Sequence, residues 1–421
     1  MTAETFEARY LVETPLPLEK VAEIMAGEQS CGTFARVEGE TDALRERARA
    51  VVVSTRDLGE VERPSLPSAW LDRRGGSERP RRGEVTIRFP VANVGANLPT
   101  LAATVAGNLF DLGETTGLRL EDVRLPAAYR ERFRKPKHGI AGTRALTGVS
   151  TGAMIGSIVK PNVGLSARET GDLVARLCAA GLDFVKDDEI AVDSEHAPLH
   201  ERIRAVMAAV RRHQDRTGKH VMVAFNITDE TDAMRRHADL IADEGGTCCM
   251  VSLNWCGFSA VETLRRHTDL VLHGHRNGYG AFSRHEALGI GFGAYQTLWR
   301  LAGVDHMHVH GLGGKFAQED AEVVASARAC LTPLAGADDR VLPAFSSGQT
   351  AATVQATFDA VGSTDLLFMA GGGIMAHPGG PAEGVASIRA AWDAVQACRS
   401  VRDAAAHEPA LAQALDAFGA A

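Results

Sequence analysis

Over the first 127 residues the apolar positions change period several times. Residues 5–13 alternate apolar and polar, the period of a half-buried strand, and residues 18–26 take up helical spacing after a Pro-rich start. Residues 49–55 and 84–90 read as strands, 98–108 as a helix and 118–125 as a closing strand. The order β-α-β-β-α-β predicts an α+β ferredoxin-like domain over residues 1–127. Residues 63–83 are rich in Arg, Pro, Gly and Ser and predict an exposed loop.

From residue 128 the pattern changes. Short apolar runs at 153–159, 182–186, 220–226, 247–253, 270–275, 305–310, 340–345 and 365–370 alternate with amphipathic stretches such as 167–180, 199–216, 231–243 and 318–331. Eight strands alternating with helices predict a C-terminal TIM (β/α)8 barrel over residues 128–421, so the fold class is α/β. Polar groups cluster where these strands should end: Lys160, Lys186 to Glu189, Asn226, His275 with Arg276, His308 with His310, Ser346 with Ser347, and Gly371 to Gly373. Barrel enzymes carry their chemistry at that end.

Composition narrows the function. A net charge of -8 offers no general attraction to nucleic acid. No apolar run is long enough to span a bilayer, and the first residues lack a signal-peptide pattern, so no membrane partner is expected and the expected location is cytoplasmic. Seven cysteines without a Cys-x-x-Cys pair argue against a disulfide framework or a zinc knuckle.

The chemistry concentrates in Gly181-Leu-Asp-Phe-Val-Lys-Asp-Asp-Glu189. Lys186 and Asp188 share a strand face, and Glu189 follows where the strand should end. Carboxylates so close repel unless a cation lies between them, and hard oxygen ligands favour Mg2+. An ammonium has no lone pair for a metal, so Lys186 needs another explanation. His306, His308 and His310 alternate along one strand, which places them on one face and also leaves a transition-metal site open. Gly371 and Gly372 allow backbone amides close to a phosphate, and Arg276, His308 and Ser346 can hold a second anionic group.

The nine-residue segment resembles the signature of the RuBisCO large-subunit superfamily, and the resemblance runs along nearly the whole chain. Ser157-Ile-Val-Lys-Pro161, His275-Arg276, Asp305-His-Met-His308, Gly314-Lys315 and Gly371-Gly-Gly-Ile-Met-Ala-His-Pro378 are similar to successive barrel motifs. The resemblance implies that CO2 carbamylates Lys186, which then holds Mg2+ together with Asp188 and Glu189. It makes Lys160 the proton-handling lysine, Lys315 the lysine of a mobile loop, and Asn226, His275 and His308 positioners of substrate oxygens. It assigns Arg276, Ser346, Gly348, Gly371 and Gly372 to the phosphorylated substrate. Glu28, Thr33 and Asn108 would reach a neighbouring subunit's site, which implies a homodimer or an oligomer of dimers.

Several positions depart from the carboxylases. Asn162 replaces a lysine, Tyr279 a histidine, Phe34 a tryptophan and Ser347 a glycine, and His310 is extra. The set is similar to a RuBisCO-like protein of form IV, the non-carboxylating branch. That implies a Mg2+-dependent lyase or isomerase that forms an enediolate on a phosphorylated keto-sugar or keto-acid. The preferred reading is a β-keto acid sugar-phosphate decarboxylase or carboxyl transferase, for example of 3-oxo-isoapionate 4-phosphate type. A methionine-salvage isomerase or enolase, a true ribulose-bisphosphate carboxylase and a non-catalytic regulatory paralogue are the alternatives.

Overall fold

The computed structural model describes residues 4–32, 37–75, 79–334 and 339–419. Thr33 and Phe34 lie outside the described residues. The chain forms two compact units. One comprises Met1–Arg134, Gly278–Ala302 and Pro333–Asp339, the other Lys135–Asn277, Gly303–Thr332 and Arg340–Ala421.

The first unit carries strands β1 (Thr5–Thr14), β2 (Val51–Glu60), β3 (Arg81–Pro90) and β4 (Gly117–Arg124), with helices Leu18–Glu28 and Leu98–Ala106. The antiparallel order β4-β1-β3-β2 is the ferredoxin-like one. Strict alternation along β1 buries Phe6, Ala8, Tyr10 and Val12. Residues 288–290 add a fifth strand, parallel to β4, that three half-buried residues cannot announce by period. Residues 63–83 are not one open loop. Ala69–Asp72 is a helical turn capped by Ser68, and Arg81 to Gly83 already belong to β3. The buried carboxylate of Glu13 holds this segment: it accepts from Ser65 N and Oγ, Arg82 and Thr116. In the same unit Asp339 accepts from Arg130 and Arg300, all three wholly buried, and so ties three separate stretches of chain together.

The second unit is a closed parallel barrel of β5 (Met154–Ile158), β6 (Phe184–Lys186), β7 (Met222–Asn226), β8 (Cys248–Ser252), β9 (Val271–His275), β11 (His306–His310), β12 (Leu342–Phe345) and β13 (Leu367–Met369), where β10 is the Leu288–Ile290 strand of the first unit. All eight fall inside the expected runs. Phe184, Met154, Met250 and Leu342 fill the interior. Helix Ala167–Ala179, after β5, opens on a capping box of Ser166 and Glu169. One expectation fails locally. His310 stays in β11, paired with Phe345, but a bulge after His308 and its own φ of 67° break the strict alternation there. Among the described residues no helix is long and apolar enough to cross a membrane.

Candidate active site

Lys186 is the last residue of β6, and its side chain is buried. Its Nζ donates to Asp187 O at 2.7 Å and stands 4.0 Å from Glu189 Oε2. Burial pushes its ammonium down to about 8, against the pull of Glu189, Asp188 and Asp187. Buried Asp188 accepts from Lys160 Nζ at 2.7 Å, and the same Nζ donates to Asn162 Oδ1 at 2.7 Å. Sequence reasoning left Asp187 without a role. The structure turns it away from the other two acids: its Oδ2 accepts from Arg202 and from the Asn226 N–H. The first position of Asp-Asp-Glu, opposite in parity to Lys186 and Asp188, was the available signal.

Asn226 ends β7 and is fully engaged. Its Nδ2 donates to Asp188 O and Glu189 O, and its Oδ1 accepts from Thr228. It clamps the acidic turn, whereas the sequence reading had it positioning substrate oxygens. His275 Nδ1 accepts from Asn277 N at 3.2 Å, which puts the ring proton on Nε2, 3.7 Å from Glu189 Oε2. Burial drives its pKa down to about 3, so the His275 ring is neutral and can donate from Nε2. On the next strand, His308 Nδ1 meets Ser346 Oγ at 3.1 Å and His308 Nε2 meets His273 Nε2 at 2.7 Å. His273 was missed in the sequence, although it shares the alternation of His275.

The remaining expected residues separate into two groups. A Cβ on Gly371 would stand 3.9 Å from Lys160 Cε, which places that glycine beside Lys160, while one on Gly372 would meet nothing within 4 Å. Buried Arg276 donates to Gln318 Oε1 at 2.6 Å. The segments of Gly348 and Lys315 adjoin, since a Cβ on Gly348 would lie 3.8 Å from Lys315 N. Lys315 itself is exposed, with its Nζ 5.4 Å from the Phe316 ring, and the structure does not bring it to Lys186. Glu28 and Asn108 are exposed in the first unit. The segments that carry them adjoin, because a Cβ on Gly107 would approach Gln29 Nε2 to 3.6 Å.

The donor set fits a divalent ion on one condition. Among the described residues no three His, Cys, Asp or Glu side chains gather as a metal cluster. Asp188 and Glu189 could supply two oxygen ligands beside a lysine, and a carbamate on Lys186 would add a third. His306 and His308 spend their nitrogens on His273, Thr143 and Ser346, which disfavours a transition-metal site at 306–310. Nucleophilic chemistry at Cys249 and Cys256 is also disfavoured: burial pushes the Cys249 thiol up to about 12 and the Cys256 thiol to about 11.

The profile of the ribulose bisphosphate carboxylase large chain catalytic domain matches residues 139–418, and that of its N-terminal domain matches residues 13–129. The chain belongs to the RuBisCO large-chain family. A 3-oxo-isoapionate-4-phosphate transcarboxylase/hydrolase of Xanthobacter autotrophicus is 46% identical to it over 98% of this chain and 99% of the relative. A 3-oxo-isoapionate-4-phosphate decarboxylase of Rhizobium etli is 40% identical over 97% of each. The crystal structure of a rubisco-like protein from Burkholderia fungorum is 63% identical and superimposes with a TM-score of 0.94, covering 98% of this chain and 99% of that one. These neighbours are consistent with the non-carboxylating form IV of RuBisCO. The departures from RuBisCO carboxylases acquire physical meaning here. Asn162 trades a second cation for a carbonyl that holds Lys160. Tyr279 is a packing residue of the first unit, its ring 4.4 Å from Tyr295 and its hydroxyl donating to Ile290 O.

Proposed function

We propose that this protein is a Mg2+-dependent enzyme that removes or transfers the carboxyl group of a β-keto acid sugar phosphate of 3-oxo-isoapionate 4-phosphate type. The observation that carries the reading is the 2.7 Å pair of Lys160 and Asp188 beside Lys186, which sets a proton carrier against an acidic cluster at one strand end. The two relatives described by chemistry on 3-oxo-isoapionate 4-phosphate support the choice of substrate.

Loss of CO2 from a β-keto acid leaves its electron pair on the α-carbon, shared with the ketone oxygen as an enolate. Lys160 would hold the proton destined for that carbon, with Asn162 and Asp188 keeping its Nζ in place. Carbamylated Lys186, Asp188 and Glu189 would hold Mg2+, which when bound supplies positive charge near the developing enolate. Neutral His275 would donate its Nε2–H to a substrate oxygen. Arg276 and the amides at Gly371 and Gly372 would take the phosphate. We also propose a homodimer in which Glu28 and Asn108 of one protomer complete the partner's site.

Purified protein supplied with Mg2+ and bicarbonate should release CO2 from 3-oxo-isoapionate 4-phosphate. Lys160→Met should lower kcat by roughly 100-fold or more. Carbon fixation on ribulose bisphosphate, or proton exchange without loss of the carboxyl group, would overturn the reading. Transfer of the carboxyl group to a second molecule or to water would select carboxyl transfer over simple decarboxylation.

A further inference from the structure

Five side chains form one hydrogen-bonded row inside the barrel. Thr143 Oγ1 meets His306 Nε2 at 2.8 Å, and His306 Nδ1 meets His273 Nδ1 at 3.1 Å. His273 Nε2 meets His308 Nε2 at 2.7 Å, and His308 Nδ1 meets Ser346 Oγ at 3.1 Å. Thr143, His273 and His306 have no exposed surface, and His308 has 3%. Burial holds all three imidazoles below their ordinary range, so each is neutral and carries a single N–H.

The buried end sets the direction of every bond. Thr143 Oγ1 also lies 2.6 Å from Gly139 O, the carbonyl one helical turn before it. A carbonyl has no proton to offer, so the hydroxyl gives its only proton there. Toward His306 it can therefore only accept, and the His306 proton sits on Nε2. His306 Nδ1 is then a lone pair, to which His273 donates from Nδ1. His273 Nε2 in turn accepts from His308 Nε2–H. The one lone pair left, on His308 Nδ1, receives the Ser346 hydroxyl proton. Reversing any single bond would leave two protons or two lone pairs facing each other in a buried site.

We infer that Thr143, His306 and His273 are positioning residues that lock His308 in its Nε2–H tautomer, so that His308 and Ser346 offer the substrate hydrogen-bond acceptors only. Such a pair recognises a substrate hydroxyl. A hydroxyl can donate to Ser346 Oγ, or take the serine's place at His308 Nδ1, with the row intact. A phosphate or carboxylate oxygen at the same place would confront lone pairs. The anionic role that sequence reasoning shared among Arg276, His308 and Ser346 thus falls to Arg276. The inference rests on the strand ends being the substrate site.

Nitrogen-15 NMR of the full-length protein labelled at histidine reads the tautomers with no substrate present, so its outcome is separate from the proposed reaction. His306 and His308 should appear as Nε2–H and His273 as Nδ1–H. Thr143→Val removes the anchoring acceptor, and Thr143→Ser keeps it. Thr143→Val should shift His308 toward its Nδ1–H form and lower kcat/KM roughly 10- to 100-fold, while Thr143→Ser should leave both near wild type. An Nδ1–H His308 in the wild-type protein overturns the inference, as does an unchanged His308 spectrum in Thr143→Val. Should Thr143→Val not fold, the wild-type spectrum alone decides. The expected tautomers in a protein that releases no CO2 would remove the proposed reaction and leave the row standing.

Discussion

Lys186 shows how one buried side chain can stand between two chemical states. An uncarbamylated amine there offers Mg2+ nothing, yet its surroundings are two carboxylates and a backbone carbonyl. Conversion to a carbamate would replace a cation that burial disfavours by an oxygen ligand. With labelled CO2 and Mg2+, carbon-13 NMR should show a carbamate signal in the wild-type protein that is absent in Lys186→Met. A signal that survives in the variant would place the modification elsewhere. His306 makes a different prediction. Its folded pKa is lowered by burial to about 4 from an ordinary value of 6.5. Above pH 6.5 the folded and unfolded chains both hold it neutral. As pH falls toward 4, only the unfolded chain takes up the proton, so stability drains away by on the order of 3 kcal/mol. Urea melts between pH 7 and 4 should show this loss, and His306→Gln should flatten the slope.

At the scale of elements, the candidate site is a set of strand ends. Each barrel strand is too short to hold more than a few side chains, so the residue that follows its last hydrogen bond is the one free to act. Lys160, Asp188 with Glu189, and Ser346 all occupy such positions. Gly371 to Gly373 divides in function along three residues. A Cβ on Gly373 would come within 2.5 Å of Gln349 O and 3.0 Å of Thr350 Cα, which are backbone atoms and cannot yield cheaply. Gly373→Ala should therefore destabilise the protein by roughly 1–3 kcal/mol, read as a lowered urea midpoint. Gly372→Ala meets open space and should leave the midpoint unchanged while raising KM for a phosphorylated substrate. Equal effects on stability would remove the distinction between a packing glycine and a binding one.

At the scale of the whole molecule, the exposed positions of Glu28 and Asn108 fit residues that act on another copy. Lys186→Met and Asn108→Ala subunits should each be nearly inactive alone. Mixed and allowed to exchange, they should regain part of the activity, because the hybrid would contain one site with both residues intact. Mixtures that stay inactive would argue that each protomer completes its own site.

The sequence by itself determined the barrel. Eight buried parallel strands need continuous apolar runs, and helices covering them need amphipathic ones, so period alone locates them. It also marked Lys186, Asp188 and Glu189, because three chemical groups within four residues need no tertiary contact to be found together. The tertiary structure decided what those groups touch. Asp187 and Asp188 are adjacent in the chain, and only the fold sends one to Arg202 and the other to Lys160. The short strand of residues 288–290 and the turn held by Glu13 depend on partners far away in the chain. The direction of the histidine row was the least legible feature. It is set by a carbonyl at Gly139 and expressed at Ser346, two positions whose relation exists only once the barrel has closed.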